Sequence, residues 1–111
     1  MERRRFIRVP VQVWVEQWTD QEMYLQQSAN FSRGGIFLER TIPHPEGTLL
    51  NLRFTLPEDD RPIECRGHIV YPKAGEDFGM GIQFYELDDE TRQRIDEFMD
   101  QAEASLGEGE A

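Results

Sequence analysis

Cysteine is almost absent from this chain of 111 residues, in which Cys65 is the only one. A single cysteine cannot form an internal disulfide. The two histidines, His44 and His68, stand far apart in the chain, without the spacing of paired metal ligands. The sequence therefore argues against a disulfide-stapled fold, and no metal ion and no cofactor are expected.

Long apolar runs are also missing. No stretch of 18 apolar residues occurs, so membrane insertion through a helix is not expected. The opening MERRRFIRVP lacks the apolar segment that a secretory signal requires. Together with the scarcity of cysteine, this predicts a cytoplasmic protein. The length corresponds to one domain.

Positive charge is scarce and unevenly placed. The formal net charge is −10, and residues 86–111 hold ten acidic but only two basic side chains. Four of the 12 basic residues are arginines within the first eight positions. This balance disfavours DNA or RNA as a partner, because phosphate neutralisation dominates such binding. It still permits a small anion at the arginine cluster, because salt screens charges beyond about 8–10 Å.

Apolar and polar residues alternate along most of the chain before residue 87. Alternation with period two is typical of half-buried strands, and Gly, Pro and Asp mark the turns between them. Six short strands at regular spacing predict an all-β fold, an antiparallel barrel or sandwich. The predicted strands are 9–18, 23–32, 34–40, 49–56, 63–72 and 80–87.

The period changes near residue 87, where the apolar positions fall on one stripe of a helix. Asp88 or Asp89 is suited to cap it. We expect this helix to span about 89–105, to lie on the barrel and to end at Gly107. The expected organisation is a flexible basic arm at 1–8, one domain at 9–106 and a disordered tail at 107–111.

Two motifs stand out together, RRRFIR at 3–8 and NFSRGG at 30–35. An antiparallel barrel can place them side by side at one rim. Arginine can form two parallel hydrogen bonds to a phosphate and can stack on a planar base. Asn and Ser can form hydrogen bonds with a base edge or a ribose. Glycine permits positive φ or a close approach to a ligand. This combination favours a nucleotide ligand.

The pairing resembles the PilZ domain family, which binds the bacterial second messenger cyclic di-GMP. The family pattern R-x-x-x-R matches Arg4 to Arg8, and [D/N]-x-S-x-x-G matches Asn30 to Gly35. The resemblance covers about residues 2–102. It implies a six-stranded antiparallel β-barrel of PilZ type with a C-terminal α-helix packed on it.

The resemblance also implies roles for the arginines. Arg4 and Arg8 would wrap around the ligand, contacting phosphate and guanine and stacking on a base. Arg3 precedes the motif, at the place that in this family influences whether one or two ligand molecules bind. An extra guanidinium there suggests a pair of intercalated ligands.

The second motif would complete the ligand site. Asn30 would meet a guanine edge, at a place often held by Asp. Ser32 would contact the ligand or brace Asn30, and Gly34 and Gly35 would shape the turn. In the plainer interpretation this segment is only a hairpin turn.

The implied function is that of a stand-alone cyclic di-GMP receptor that acts through an effector protein on motility, surface attachment, exopolysaccharide or type IV pili. A monomer or weak dimer is expected. No Ser-His-Asp, Cys-His or metal set is apparent, so we do not expect an enzyme.

Two alternatives remain open. One is a PilZ-like adaptor that binds proteins and no nucleotide. The other is a small barrel for single-stranded nucleic acid, which the net charge disfavours. Trp14 and Trp18 are expected to pack on the barrel surface or against the helix.

Overall fold

The computed structural model describes residues 7–40, 44–73 and 79–110, and this part of the chain forms seven strands and one helix. The elements are β1 (Val9–Pro10), β2 (Trp14–Trp18), β3 (Met23–Ser32), β4 (Gly35–Glu39), β5 (Leu49–Phe54), β6 (Ile63–Lys73), β7 (Gly79–Tyr85) and α1 (Asp89–Glu110). The helix is not apolar enough to span a membrane.

The strands pair antiparallel in the order β3-β2-β5-β6-β7-β4, and β4 pairs back with β3. This last pairing closes a six-stranded barrel, and β1 is added outside it along β3. The prediction of a mainly β protein with a six-stranded antiparallel barrel and a C-terminal helix is confirmed. Closure leaves few exposed strand edges, which limits edge-to-edge aggregation.

The single strand predicted at 9–18 is wrong. It is divided into β1 and β2 by residues 11–13, although the alternation itself continues across the break. Val9, Val11 and Val15 are buried, whereas Gln12 and Trp14 are exposed. The predicted faces are therefore correct, but the ladder of backbone hydrogen bonds is interrupted. The other strand limits differ from the predictions by at most two residues.

The hydroxyl of Ser28 on β3 replaces the missing ladder bonds. It is buried, donates to the Val11 carbonyl at 2.6 Å and accepts from the Val13 amide at 3.1 Å. The Ser28 amide donates to the Val13 carbonyl at 2.9 Å. The Ser28 side chain and backbone amide together satisfy the Val11 carbonyl and both polar groups of Val13 where β1 and β2 part, as buried polar groups require.

A β-bulge lies at the same point of β3. In the pairing with β4, Ser28 faces Leu38 but Asn30 faces Phe37, so Ala29 is an extra residue. Side-chain direction has period two, and one extra residue therefore exchanges the faces of everything beyond it. Ser28 points inward before the bulge, and Phe31 is fully buried after it.

Helix α1 lies on the core through Ile95 and Met99, which are buried. Asp88 caps its start by accepting a hydrogen bond from the Thr91 amide at 2.8 Å, and this bond lowers the pKa of the Asp88 carboxyl. The expected end at Gly107 is wrong, because α1 continues to Glu110. Gly107 stays in the helical conformation and forms no left-handed stop.

We expect Ser28→Ala to lower the free energy of unfolding by about 1–3 kcal/mol, because the buried groups of Val11 and Val13 would lose their partner. Chemical denaturation measures this. Ser105→Ala on the exposed side of α1 is the control and should change the value by no more than about 0.5 kcal/mol. Equal stability of the two variants would contradict the bridging role of Ser28.

Candidate functional site

The NFSRGG segment forms the hairpin between β3 and β4. Ser32 pairs with Gly35, so the turn itself consists of Arg33 and Gly34. The Ser32 hydroxyl accepts from the Gly34 amide at 3.2 Å, and the Phe84 amide donates to the Gly34 carbonyl at 2.8 Å. The turn is therefore held both by its own serine and by β7.

A glycine is required at position 35 because there is no room for a Cβ atom, and not because the backbone adopts a positive φ. A Cβ atom there would lie 2.1 Å from the Ile82 carbonyl oxygen of β7. Among the described glycines only Gly47 has a positive φ, at 91°. The close approach of β4 to β7 closes the barrel and accounts for the glycine, whereas the positive φ considered from the sequence does not occur.

Phe31 anchors the motif in the interior. Its ring centroid lies 5.3 Å from that of Phe54 and 6.4 Å from that of Phe98 on α1, both in edge-to-face arrangement. Such pairs stabilise a core beyond the area they bury. Since neighbouring side chains on a strand point to opposite faces, the buried Phe31 directs Asn30 and Ser32 to the outside.

The first motif meets the second on that outer face. In the β1–β3 pairing Val9 faces Phe31 and Pro10 faces Asn30, and Arg8 directly precedes Val9 in the chain. The Arg8 guanidinium carbon lies 5.9 Å from the centroid of the Phe37 ring. Phe37 is itself the cross-strand partner of Asn30.

Arg8, Asn30, Ser32 and Phe37 therefore share one surface, which we call the motif surface. It combines a cation, an amide, a hydroxyl and an aromatic ring. These groups suit a planar anionic ligand, since arginine binds phosphate and a ring face supports stacking. Gly34 and Gly35 underlie this surface as backbone. Arg3 and Arg4 lie outside the described residues.

Arg33, the charged residue in the middle of the motif, is directed to the helix. It contacts three carboxylates on successive turns of α1: Asp96 at 3.2 Å, Asp100 at 2.6 Å and Glu103 at 3.5 Å. The bond with Asp100, supported by Asp96, raises the pKa of Arg33. Sequence reasoning missed this contact, although the i, i+4, i+7 spacing of the acids marks one helix face.

Cys65, on β6, offers no reactive thiolate. Burial, assisted by the charge of Asp88, raises its pKa to about 12, so the thiol remains protonated at neutral pH. Within the described ranges, no group of three or more His, Cys, Asp or Glu side chains is arranged to hold a metal ion.

The sequence matches the PilZ domain model over residues 2–101. The chain belongs to the PilZ domain family.

Solved structures with the same fold share little sequence with this chain. The PilZ domain with c-di-GMP of YcgR from Escherichia coli superposes with a TM-score of 0.74 at 12% identity, covering 97% of both chains. The K. pneumonia MrkH-c-di-GMP complex gives 0.80 at 18%, covering 98% of this chain and 56% of MrkH.

The Bacillus subtilis inhibitor of motility, MotI/DgrA, gives a TM-score of 0.75 at 22% identity, covering 96% of this chain. The chain thus spans about half the length of MotI and MrkH, 53% and 56% respectively. No curated protein sequence gave a match.

We expect Gly35→Ala to destabilise the barrel by about 1–3 kcal/mol or more, because its Cβ would meet a backbone atom of β7 that cannot rotate away. Gly47→Ala is the contrasting variant, since nothing lies within 4 Å of its added Cβ and only its positive φ opposes the change. Thermal unfolding of both proteins measures the difference. A Gly35→Ala protein as stable as the wild type would contradict the close approach.

We expect Arg33→Ala to lower the stability by about 1 kcal/mol and to speed amide exchange in the second half of α1, because three carboxylates lose their shared cation. High salt should reduce the difference. Arg61→Ala, which removes one exposed pair with Glu90 at 3.0 Å, should have a smaller effect. Unchanged exchange in Arg33→Ala would show that the contact does not hold the helix.

Proposed function

We propose that this chain is a cyclic di-GMP receptor that passes the signal to a protein partner. The observation that carries the proposal is the position of Arg8, whose guanidinium lies 5.9 Å from the centroid of the Phe37 ring. Phe37 is the cross-strand partner of Asn30 in the second motif. This position of Arg8, more than 20 residues before Asn30 in the chain, supports a shared role of the two motifs. Membership of the PilZ family supports the same ligand.

The motif surface matches the chemistry of the ligand. Cyclic di-GMP carries two phosphates and two guanines, and each needs a different kind of contact. The Arg8 guanidinium suits a phosphate or the guanine O6 and N7 atoms, and the face of Phe37 suits stacking. The neutral Asn30 amide offers both a donor and an acceptor for a guanine edge.

We propose that Arg4 and Arg3 add to these contacts from the arm, and that Arg3 recruits a second ligand molecule. Two known structures of the fold, the YcgR PilZ domain and MrkH, are complexes with c-di-GMP. At 12% and 18% identity these two structures support the fold alone. The same ligand is proposed for this chain because of its own motif residues.

Strand β1, which lies outside the closed barrel, is the element suited to pass the effect of ligand binding to a partner. β1 contains only two residues and, among the described strands, pairs with β3 alone. A ligand that fixes Arg8 would also fix this short strand and the preceding arm, which changes the surface that a partner meets. We propose a cytoplasmic receptor that works in this way on motility or surface attachment, without catalysis of its own.

Calorimetric titration with cyclic di-GMP tests the proposal. Wild type should bind saturably, with a stoichiometry of one or two. Arg8→Ala should bind at least about tenfold more weakly, because a hydrogen bond to a charged group contributes about 1.5–3 kcal/mol. Arg53→Ala, an exposed arginine on the outer face of β5, removes equal charge away from the site and should bind like wild type.

Two results would overturn the proposal. Equal binding by wild type and Arg8→Ala would place the ligand elsewhere. An absence of binding by the wild type at hundreds of micromolar ligand would leave the nucleotide-independent PilZ adaptor as the function.

A further inference from the structure

The outer face of β2 and β3 carries a group of exposed apolar side chains that the fold does not use. Trp14, Met23 and Leu25 are 59%, 63% and 54% exposed, and Trp18 is half-buried beside them. We call these four residues the tryptophan patch. A single exposed apolar residue is ordinary, but a contiguous group that includes tryptophan marks an interaction surface.

The register shows that the patch is contiguous. Trp18 pairs directly with Met23, and Leu25 pairs with Glu16, which stands between the two tryptophans on β2. Cross-strand partners lie about 4.5–5.5 Å apart at Cβ, and their diagonal neighbours lie about 7–8 Å apart. The four apolar side chains therefore cover one area around Glu16.

Trp14 stands as a ridge between two shallow grooves. One groove runs over Gln27 and Ala29 towards Arg40, and the other runs towards Arg53 and Pro62. Helix α1 lies against β1 and the core, so it does not cover this face. Trp14 therefore lies on the barrel surface, one of the two positions expected from the sequence, but most of its side chain is exposed.

Charge around the patch is mainly acidic. Glu16 lies within it, Asp20 and Glu22 form the adjoining β2–β3 turn, and Glu39 borders the groove beside Trp14. Arg40 and Arg53 are the basic neighbours, and Arg53 lies 3.8 Å from Glu64 on the next strand. The rim therefore favours a surface that carries lysine or arginine.

We propose that the tryptophan patch is the docking site of a protein partner whose contact surface has an apolar centre and a basic rim. Trp14 is the anchor, since tryptophan is enriched among residues that dominate binding energy. In a dimer formed through this patch, the acidic rims of the two copies would face and repel each other. Anionic lipid and nucleic acid would be repelled in the same way.

This proposal does not depend on nucleotide binding, although β3 connects the two surfaces. Its first half presents Met23 and Leu25, and beyond the bulge it presents Asn30 and Ser32. The segment 11–13, pinned by Ser28, joins β1 to Trp14. A partner on the patch would therefore lie next to the segment that leads back through β1 to Arg8.

A nuclear magnetic resonance titration with two synthetic peptides tests the docking site. One peptide alternates leucine with lysine, and the other replaces each lysine with glutamate. The lysine peptide should shift the indole signals of Trp14 and Trp18 saturably, and the glutamate peptide should not. The double variant Trp14→Ser/Leu25→Ser retains every charge and should bind the lysine peptide at least about tenfold more weakly.

Tyr85→Ser is the control, because Tyr85 is 38% exposed on β7, which β5 and β6 separate from β2 in the barrel. It should bind like wild type, and Leu25→Ser alone serves if the double variant fails to fold. Equal affinity of wild type and the patch variants, or shifts confined to the acidic face of α1, would overturn the proposal. Sedimentation showing self-association that the double variant abolishes, or binding to phosphatidylserine vesicles, would assign the patch to another occupant.

Discussion

The bulge in β3 is the constraint on which the site depends. Ala29 is the one extra residue in the pairing with β4, and it exchanges the inward and outward faces of the strand. Without it, Asn30 and Ser32 would continue the inward row of Ser28, and Phe31 would lose its place between Phe54 and Phe98. A barrel of the same strand order would then contain the motif residues inside its core and display none of them.

Ser28 and Arg33 join this local irregularity to the rest of the molecule. The Ser28 hydroxyl forms hydrogen bonds with the Val11 carbonyl and the Val13 amide in the segment between β1 and β2. Arg33 reaches across to three carboxylates of α1. The segment between β1 and β2, the motif turn and the helix are thus connected through two side chains, each directed by its position on the same hairpin. Polar contacts of this kind specify one arrangement among several that would bury similar apolar area.

The sequence predicts what depends on period and composition. The alternation along 49–56 correctly separates buried Leu50 and Leu52 from exposed Asn51, and the stripe through Ile95 and Met99 correctly orients the helix. It does not predict the break at 11–13, because the valines continue to alternate through it. The cause lies 17 residues away in Ser28, and such a hydrogen bond has no local signature.

The NFSRGG segment serves two purposes with different residues. Phe31, Gly34 and Gly35 hold the hairpin in the core and against β7, so any barrel of this shape has use for them whether or not it binds a ligand. Asn30 and Arg8 lie on the outside, where no part of the barrel's closure requires them. When such a domain drifts away from ligand binding, its glycines should persist and its outward polar residues should change first, so only the latter are informative about function in a related chain.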